Sequence, residues 1–314
     1  MLIDRRRSLG LVLGAGAAVS VCPLALAADQ PPLIRRAIPS SGERVPAIGL
    51  GTAATFSSKA RAEDLAALRD VMRTMVDRGA TVIDTAPVYG GSERVAGALA
   101  RELGIADRIF WATKVNAAIN GVADREAVIA QLERSFRHIG VPRLDLVQVH
   151  NLADVPVQLA VLKQLQKEGR VRYVGVTTTS KSQYAQLETL MRSEPLDFIG
   201  IDYAADNRSA DRVILPLAAA RGIAVMAYVP FGKTRLFRRV ARLALPDWAA
   251  DFDAATWAQF FIKFVLGHRA VTVVTPATSQ AAHMIDNVGG GIGRLPDDAT
   301  RERMAKFVDA LPQA

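Results

Sequence analysis

Leu144-Asp145-Leu146-Val147-Gln148-Val149-His150 is a short apolar run ending in an imidazole, set between two amphipathic segments, Arg125–His138 and Val157–Lys167. A run this brief and rich in valine, flanked by helical periodicity, reads as a strand buried on both faces, as in a parallel sheet. The same alternation repeats outward. It predicts strands at Val45–Leu50, Thr81–Thr85, Ile109–Val115, Val171–Val176, Asp197–Asp202, Ala224–Tyr228 and Val271–Thr275. Apolar residues at three- and four-residue intervals predict helices at Ala62–Asp77, Ser92–Leu103, Lys181–Met191, Asp211–Ala220, Ala254–Leu266 and Ser279–Val288. Glycines suited to left-handed helix caps follow at Gly79, Gly104, Gly140, Gly169, Gly222 and Gly267. Eight strands alternating with helices predict an α/β fold, a (β/α)8 barrel in one domain over residues 45–314. Ile34–Pro46, with Ser40-Ser41-Gly42 at its middle, reads as a hairpin within the lead-in of residues 28–44, and the residues from Asp297 as a final packing helix.

Of 314 residues, half are hydrophobic and 22% charged, which excludes a disordered or collagen-like chain. The net charge of +8 arises from 39 Lys and Arg against 31 Asp and Glu, interspersed along the chain. That is a solvated basic surface, and no nucleic-acid partner is expected. Cys22 is the one cysteine, so no disulfide, zinc cluster or thiol nucleophile is expected in the rest of the chain, and no metal site is assigned.

Residues 1–27 read as a cleavable signal peptide. Arg5-Arg6-Arg7-Ser8-Leu9 is a basic head, a Gly/Ala/Val/Leu run follows to Leu24, and Ala25-Leu26-Ala27 supplies the small-x-small pattern of a cleavage site. The tandem arginines resemble a twin-arginine export signal, although Ser8 stands where a large apolar residue is usual. A periplasmic or otherwise exported protein is expected, with the export machinery as a partner and no stable membrane association after processing. A retained anchor is the alternative. Val21 is too large for a lipobox before Cys22, and Gly14-Ala15-Gly16 follows no strand and lacks the last glycine of a dinucleotide fingerprint.

Active sites of such barrels sit at the C-terminal ends of the strands. Asp84 ends one strand, Tyr89 follows it, Lys114 ends the next and His150 the one after. A buried lysine held by an aspartate stays charged, and a cation beside a phenol favours phenolate, so the Tyr89 pKa is expected below about 10. Such a tyrosine can protonate a carbonyl oxygen as hydride reaches its carbon, with His150 donating a hydrogen bond to the same oxygen. His138 and His268 lie near helix ends and His283 within the last barrel helix, which makes them weaker candidates.

With these residues in place, the chain resembles the aldo-keto reductase family. The likeness runs through Ile48-Gly49-Leu50-Gly51-Thr52, Ile83-Asp84-Thr85-Ala86-Pro87-Val88-Tyr89-Gly90, Ala112-Thr113-Lys114 and Asp145–His150. It continues through Val171-Arg172-Tyr173-Val174-Gly175-Val176, Arg221–Tyr228, Thr275-Pro276-Ala277-Thr278-Ser279 and Asp286-Asn287. It implies a barrel binding NADPH or NADH without a Rossmann fold, a catalytic tetrad of Asp84, Tyr89, Lys114 and His150, and reduction of a small-molecule aldehyde or ketone. It also implies cofactor contacts at Gly51 and Thr52, a stacking surface at Tyr228, a covering loop with Phe231 and Lys233, and adenosine contacts at Thr278 and Asn287. Where the family has Ser-Asn for the nicotinamide carboxamide stand Thr177 and Thr178, and where it has a glutamine stands Gly200. The residues that usually bind the adenosine 2′-phosphate align with Ala277 and His283, which weakens a preference for NADPH.

Two other readings fit parts of the pattern. Lys114 suits the nucleophile of a Schiff-base lyase, against which Asp84 argues by holding it charged. A regulatory dinucleotide-binding barrel with little turnover would also suit the altered carboxamide contacts. A short-chain dehydrogenase does not fit, because none of the five tyrosines has lysine four positions later. The long loop Val229–Asp253, with Phe231, Leu236, Phe237 and Trp248, favours an apolar or aromatic carbonyl substrate.

Overall fold

The first barrel strand begins at Gly49, four residues later than the alternation predicts. A computed structural model describes residues 31–53, 55–56 and 62–312, and in it Val45–Leu50 divides between two elements. Strands β1 (Arg35–Ala37) and β2 (Arg44–Pro46) form the expected antiparallel hairpin. Pro46 has no N–H to continue that ladder. The chain therefore changes partners: the Ala47 N–H donates to the Ile34 carbonyl, the Ala47 carbonyl accepts from Val274, and β3 (Gly49–Gly51) joins the large sheet. The signal-peptide stretch lies outside the described residues.

The remaining strands follow the predicted places closely. They are β4 (Val82–Asp84), β5 (Phe110–Val115), a small hairpin of β6 (Ala118–Ile119) and β7 (Val122–Ala123), β8 (Leu144–His150), β9 (Val171–Thr178), β10 (Phe198–Asp202), β11 (Ala224–Tyr228) and β12 (Val271–Val274). The parallel order is β3-β4-β5-β8-β9-β10-β11-β12, and the bridges Ile48 to Val274 and Gly51 to Ala277 join its two edges into a barrel. Glycine is needed at that seam: a Cβ on Gly51 would lie 2.8 Å from the Thr275 carbonyl oxygen.

Helices α1 (Ala62–Asp77), α2 (Ser92–Glu102), α3 (Arg125–Ile139) and α4 (Val155–Lys167) alternate with the first strands. Then come α5 (Tyr184–Ser193) after a 3-10 turn at Lys181–Gln183, α6 (Ile214–Arg221), α7 (Arg235–Val240), α8 (Trp257–Gly267), α9 (Ala281–Gly289) and the packing helix α10 (Asp298–Ala310). Five predicted glycine caps have positive φ, but Gly267 does not. It is the last residue of α8, whose cap is the extended His268. The start of α8 at Trp257 is set by the Thr256 hydroxyl, which accepts from the Gln259 N–H at 3.2 Å. The β6–β7 hairpin was not anticipated, yet it turns on Asn120-Gly121, both at positive φ, the usual chemistry of a two-residue turn.

Packing explains which end of the barrel is free. The fully buried Ile38 from the hairpin packs in the barrel interior with Phe110, Tyr173 and Phe198, whose rings lie 5.8–6.3 Å apart. Ser41 and Tyr173 share a hydroxyl hydrogen bond of 2.7 Å over the same base. The N-terminal end is thus plugged, and polar side chains gather at the C-terminal end. Among the described residues no helix is long and apolar enough to cross a membrane.

Candidate active site

Asp84 is the last residue of β4, Lys114 the fifth of β5 and His150 the last of β8, while Tyr89 lies in the turn between β4 and α2. Gly90 and Gly91, both at positive φ, lead from Tyr89 into α2. The parallel register brings the four together. The Lys114 ammonium donates to both Asp84 oxygens, at 2.8 and 2.7 Å, and to the Thr85 carbonyl at 2.9 Å. An ammonium has three protons, so all three are engaged. Its nitrogen lies 5.0 Å from the centre of the Tyr89 ring, and the Tyr89 and His150 rings meet edge to face at 5.9 Å.

Burial governs the electrostatics here. It lifts the Asp84 carboxyl, with Lys114 opposing; it would lower the Lys114 ammonium, but Asp84 and Tyr89 outweigh it and hold that group above its ordinary value. The expectation for Tyr89 is corrected: burial raises its phenol above the ordinary value more than Lys114 lowers it. Tyr89 is therefore a protonated phenol near neutral pH. His150 falls to about 4, because of burial first and Lys114 second, and is a neutral imidazole. Its Nδ1 is sealed without a partner among the described residues, and a proton placed there would go unsatisfied. The tautomer with its proton on Nε2 is thereby favoured.

The residues assigned to the cofactor fall into two groups. Phe231, Lys233, Thr278, His283 and Asn287 line one cavity of about 590 Å3 between the loop after β11, the start of α8 and helix α9. Phe237 and Trp257 give that cavity an apolar wall, Lys233 gives it a cation, and the first turn of α9 opens onto it. These features suit the base and phosphates of a dinucleotide. Gly51, Thr52, Thr177, Thr178 and Tyr228 lie nearer the barrel axis. The Thr52 hydroxyl donates to the Asp84 carbonyl at 3.0 Å, and the Thr178 hydroxyl to Gln183 at 2.5 Å, so both also brace the fold. Thr177 and Tyr228 are buried beside Gly200. Of the other histidines, His138 lies 3.7 Å from the buried Glu93, and His268 accepts from the Ala270 N–H.

Sequence reading passed over Gln148, although the alternation of a strand puts it on the same face as His150 two residues later. It is fully buried, donates to the Tyr228 hydroxyl at 2.9 Å, and has an Oε1 with no partner among the described residues. Asp286 belongs to the Asp286-Asn287 pair that carries the resemblance, whereas Trp257, which shares the cavity wall with it, carried no local signal.

The chain matches the model of the aldo/keto reductase family over residues 47–303. It is 30% identical over 201 residues to the aldo-keto reductase YhdN of Bacillus subtilis, covering 61% of this chain and 60% of that one. To human aflatoxin B1 aldehyde reductase member 4 it is 32% identical over 170 residues, covering 51% of each. The aligned stretches thus span between half and two thirds of these two relatives. A solved aldo/keto reductase of Klebsiella pneumoniae, in complex with NADP and acetate, is similar with a TM-score of 0.71 at 25% identity, covering 87% of this chain and 94% of that one.

Proposed function

This chain belongs to the aldo/keto reductase family, and from that premise we propose that it reduces aldehyde or ketone carbonyls with NADPH or NADH, Tyr89 being the proton donor. The observation that carries the reading is the sealed Asp84–Lys114 pair beside a protonated Tyr89 and a neutral His150. A bound reduced nicotinamide supplies the hydride. His150 donates from Nε2 to the carbonyl oxygen and fixes its direction, and Tyr89 delivers its proton to that oxygen. Lys114, held charged by Asp84, then stabilises the phenolate left behind. The cavity with Phe231, Lys233, Thr278, His283 and Asn287 would hold the adenosine and phosphates, and by the family resemblance Tyr228 would face the nicotinamide.

A Schiff-base role for Lys114 is disfavoured, because its three protons are engaged and its charge is reinforced rather than removed. Phe231 and Phe237 wall the cavity assigned to the cofactor, Leu236 is fully buried and Trp248 packs on Phe252, Phe260 and Phe307, so these side chains carry no argument for an apolar or aromatic carbonyl substrate. The test is a carbonyl panel with each reduced cofactor, followed by absorbance. Tyr89→Phe is expected to lower kcat by about 10²- to 10⁴-fold with cofactor binding intact, as for removal of a general acid. Wild-type turnover in that variant would remove Tyr89 from the role, and binding of cofactor without turnover of any carbonyl would favour the regulatory barrel.

Export is the second part of the proposal. The basic head Arg5-Arg6-Arg7, the apolar run and Ala25-Leu26-Ala27 support cleavage near Ala27 and a place outside the cytoplasm. Reduced nicotinamides are made in the cytoplasm, so we favour the twin-arginine route, which moves folded proteins and would carry the cofactor inside the barrel.

A further inference from the structure

Gly200 on β10 leaves a hole that the neighbouring strand fills. A Cβ there would lie 2.5 Å from both the hydroxyl oxygen and Cε2 of Tyr228, and 2.8 Å from the Thr177 hydroxyl. With hydrogen in its place, the Tyr228 ring, 8% exposed, turns its hydroxyl toward the barrel axis. The phenol oxygen accepts from Gln148 Nε2 at 2.9 Å, and its own proton remains to donate. That proton points to Asp84 Oδ1 at 3.4 Å, while the Lys114 ammonium lies 5.2 Å from the ring centre. The chain amide, phenol, carboxylate, ammonium thus runs in one donor direction from Gln148 to Asp84, where it meets Lys114.

We propose that the Tyr228 hydroxyl is a positioning group for the Asp84–Lys114 pair, admitted by Gly200 and aimed by Gln148, and that through this pair it sets the proton-donating strength of Tyr89. The inference rests on the carbonyl-reductase reading. The titratable groups in contact are Asp84, Tyr89, Lys114, His150 and Tyr228 itself. A hydroxyl donating to Asp84 draws off part of its negative charge. Without it Asp84 opposes the Tyr89 phenolate more fully, so the Tyr89 proton is held more tightly and delivered more slowly.

Tyr228→Phe keeps the ring and removes only the hydroxyl. Its expected result is a kcat lowered by about fivefold or more, a cofactor Kd within about twofold of wild type, and an alkaline limb of the pH profile moved up by about half a unit. A second readout needs no turnover. The Tyr89 ionisation, taken as the ultraviolet difference between each protein and its Tyr89→Phe partner, should move up by a similar amount in the Tyr228→Phe background. Gly200→Ala, checked for folding by circular dichroism, should displace the hydroxyl and reproduce the shift with Tyr228 still present. Wild-type kcat and an unmoved Tyr89 ionisation in Tyr228→Phe would overturn the inference. So would a fall in kcat matched by an equal loss of cofactor affinity, since that marks a packing role. Absence of carbonyl turnover in the wild type, with the ionisation shift intact, would count against the reductase reading and leave the coupling standing.

Discussion

Asp206 holds Arg235 through an ion pair of 2.6 Å, and the carboxylate end of that pair is 6% exposed. Gly232, at φ 57°, lets the guanidinium fold back over the turn. Arg235 therefore does not line the cavity proposed for the adenosine, where Lys233 and His283 are, among the described residues, the ones able to carry positive charge. A guanidinium fork is the stronger partner for a phosphate. Binding titrations are expected to give NADPH and NADH affinities within about tenfold of each other, or about 1.4 kcal/mol. A thousandfold preference for NADPH would show that another cation reaches the 2′-phosphate.

His150 gives the protein a defined response to acid. Its folded value of about 4 lies below the ordinary 6.5, so between these values the unfolded chain binds more protons. Stability contributed here is present above pH 6.5 and is lost as pH falls toward 4, to a limit of about 3 kcal/mol. Urea unfolding of wild type and His150→Gln at pH 7 and pH 4.5 should show a smaller loss on acidification in the variant. Equal losses in both would mean that His150 is not kept neutral by the fold.

Ile38 closes the base of the barrel from outside the eight strands. Ile38→Ala is expected to cost about 2–5 kcal/mol of stability, as for a large-to-small change in a packed interior. Because the proposed catalytic groups lie at the other end, kcat should stay within about twofold at temperatures where the variant is folded. A loss of kcat without a loss of stability would show that the base and the mouth are coupled.

The export proposal predicts a cellular outcome. Wild-type protein should appear outside the cytoplasm, shortened to begin near Ala28, whereas the triple change Arg5→Lys, Arg6→Lys and Arg7→Lys should leave full-length precursor inside. Fractionation and mass spectrometry decide it, and unprocessed wild-type protein in the cytoplasm would refute it.

Much of the architecture was legible because strand and helix have different apolar periods, and α1 begins and ends where its periodicity does. The failures are local and physical. Pro46 ends a ladder inside one apolar run, and His268 rather than Gly267 caps α8, because the donors and acceptors at a helix end are not visible in periodicity. At the site, residue types and strand-end positions were enough to assemble Asp84, Tyr89, Lys114 and His150. The balance of their charges was not. Whether Lys114 or burial dominates Tyr89 depends on distances and on water excluded by the whole fold, and here burial wins. The pairing of Asp206 with Arg235 likewise joins two loops whose meeting no local pattern announces.

The seam that closes the barrel pairs Ile48 with Val274 and Gly51 with Ala277, from opposite ends of the folded chain. Closure is therefore a late event in synthesis. Until β12 has left the ribosome, β3 and β11 each present an open edge, and nascent chains can associate through such edges. A polypeptide truncated before Val271 would keep both edges, which makes the last strand a completeness check: only a finished chain can form the sealed cylinder.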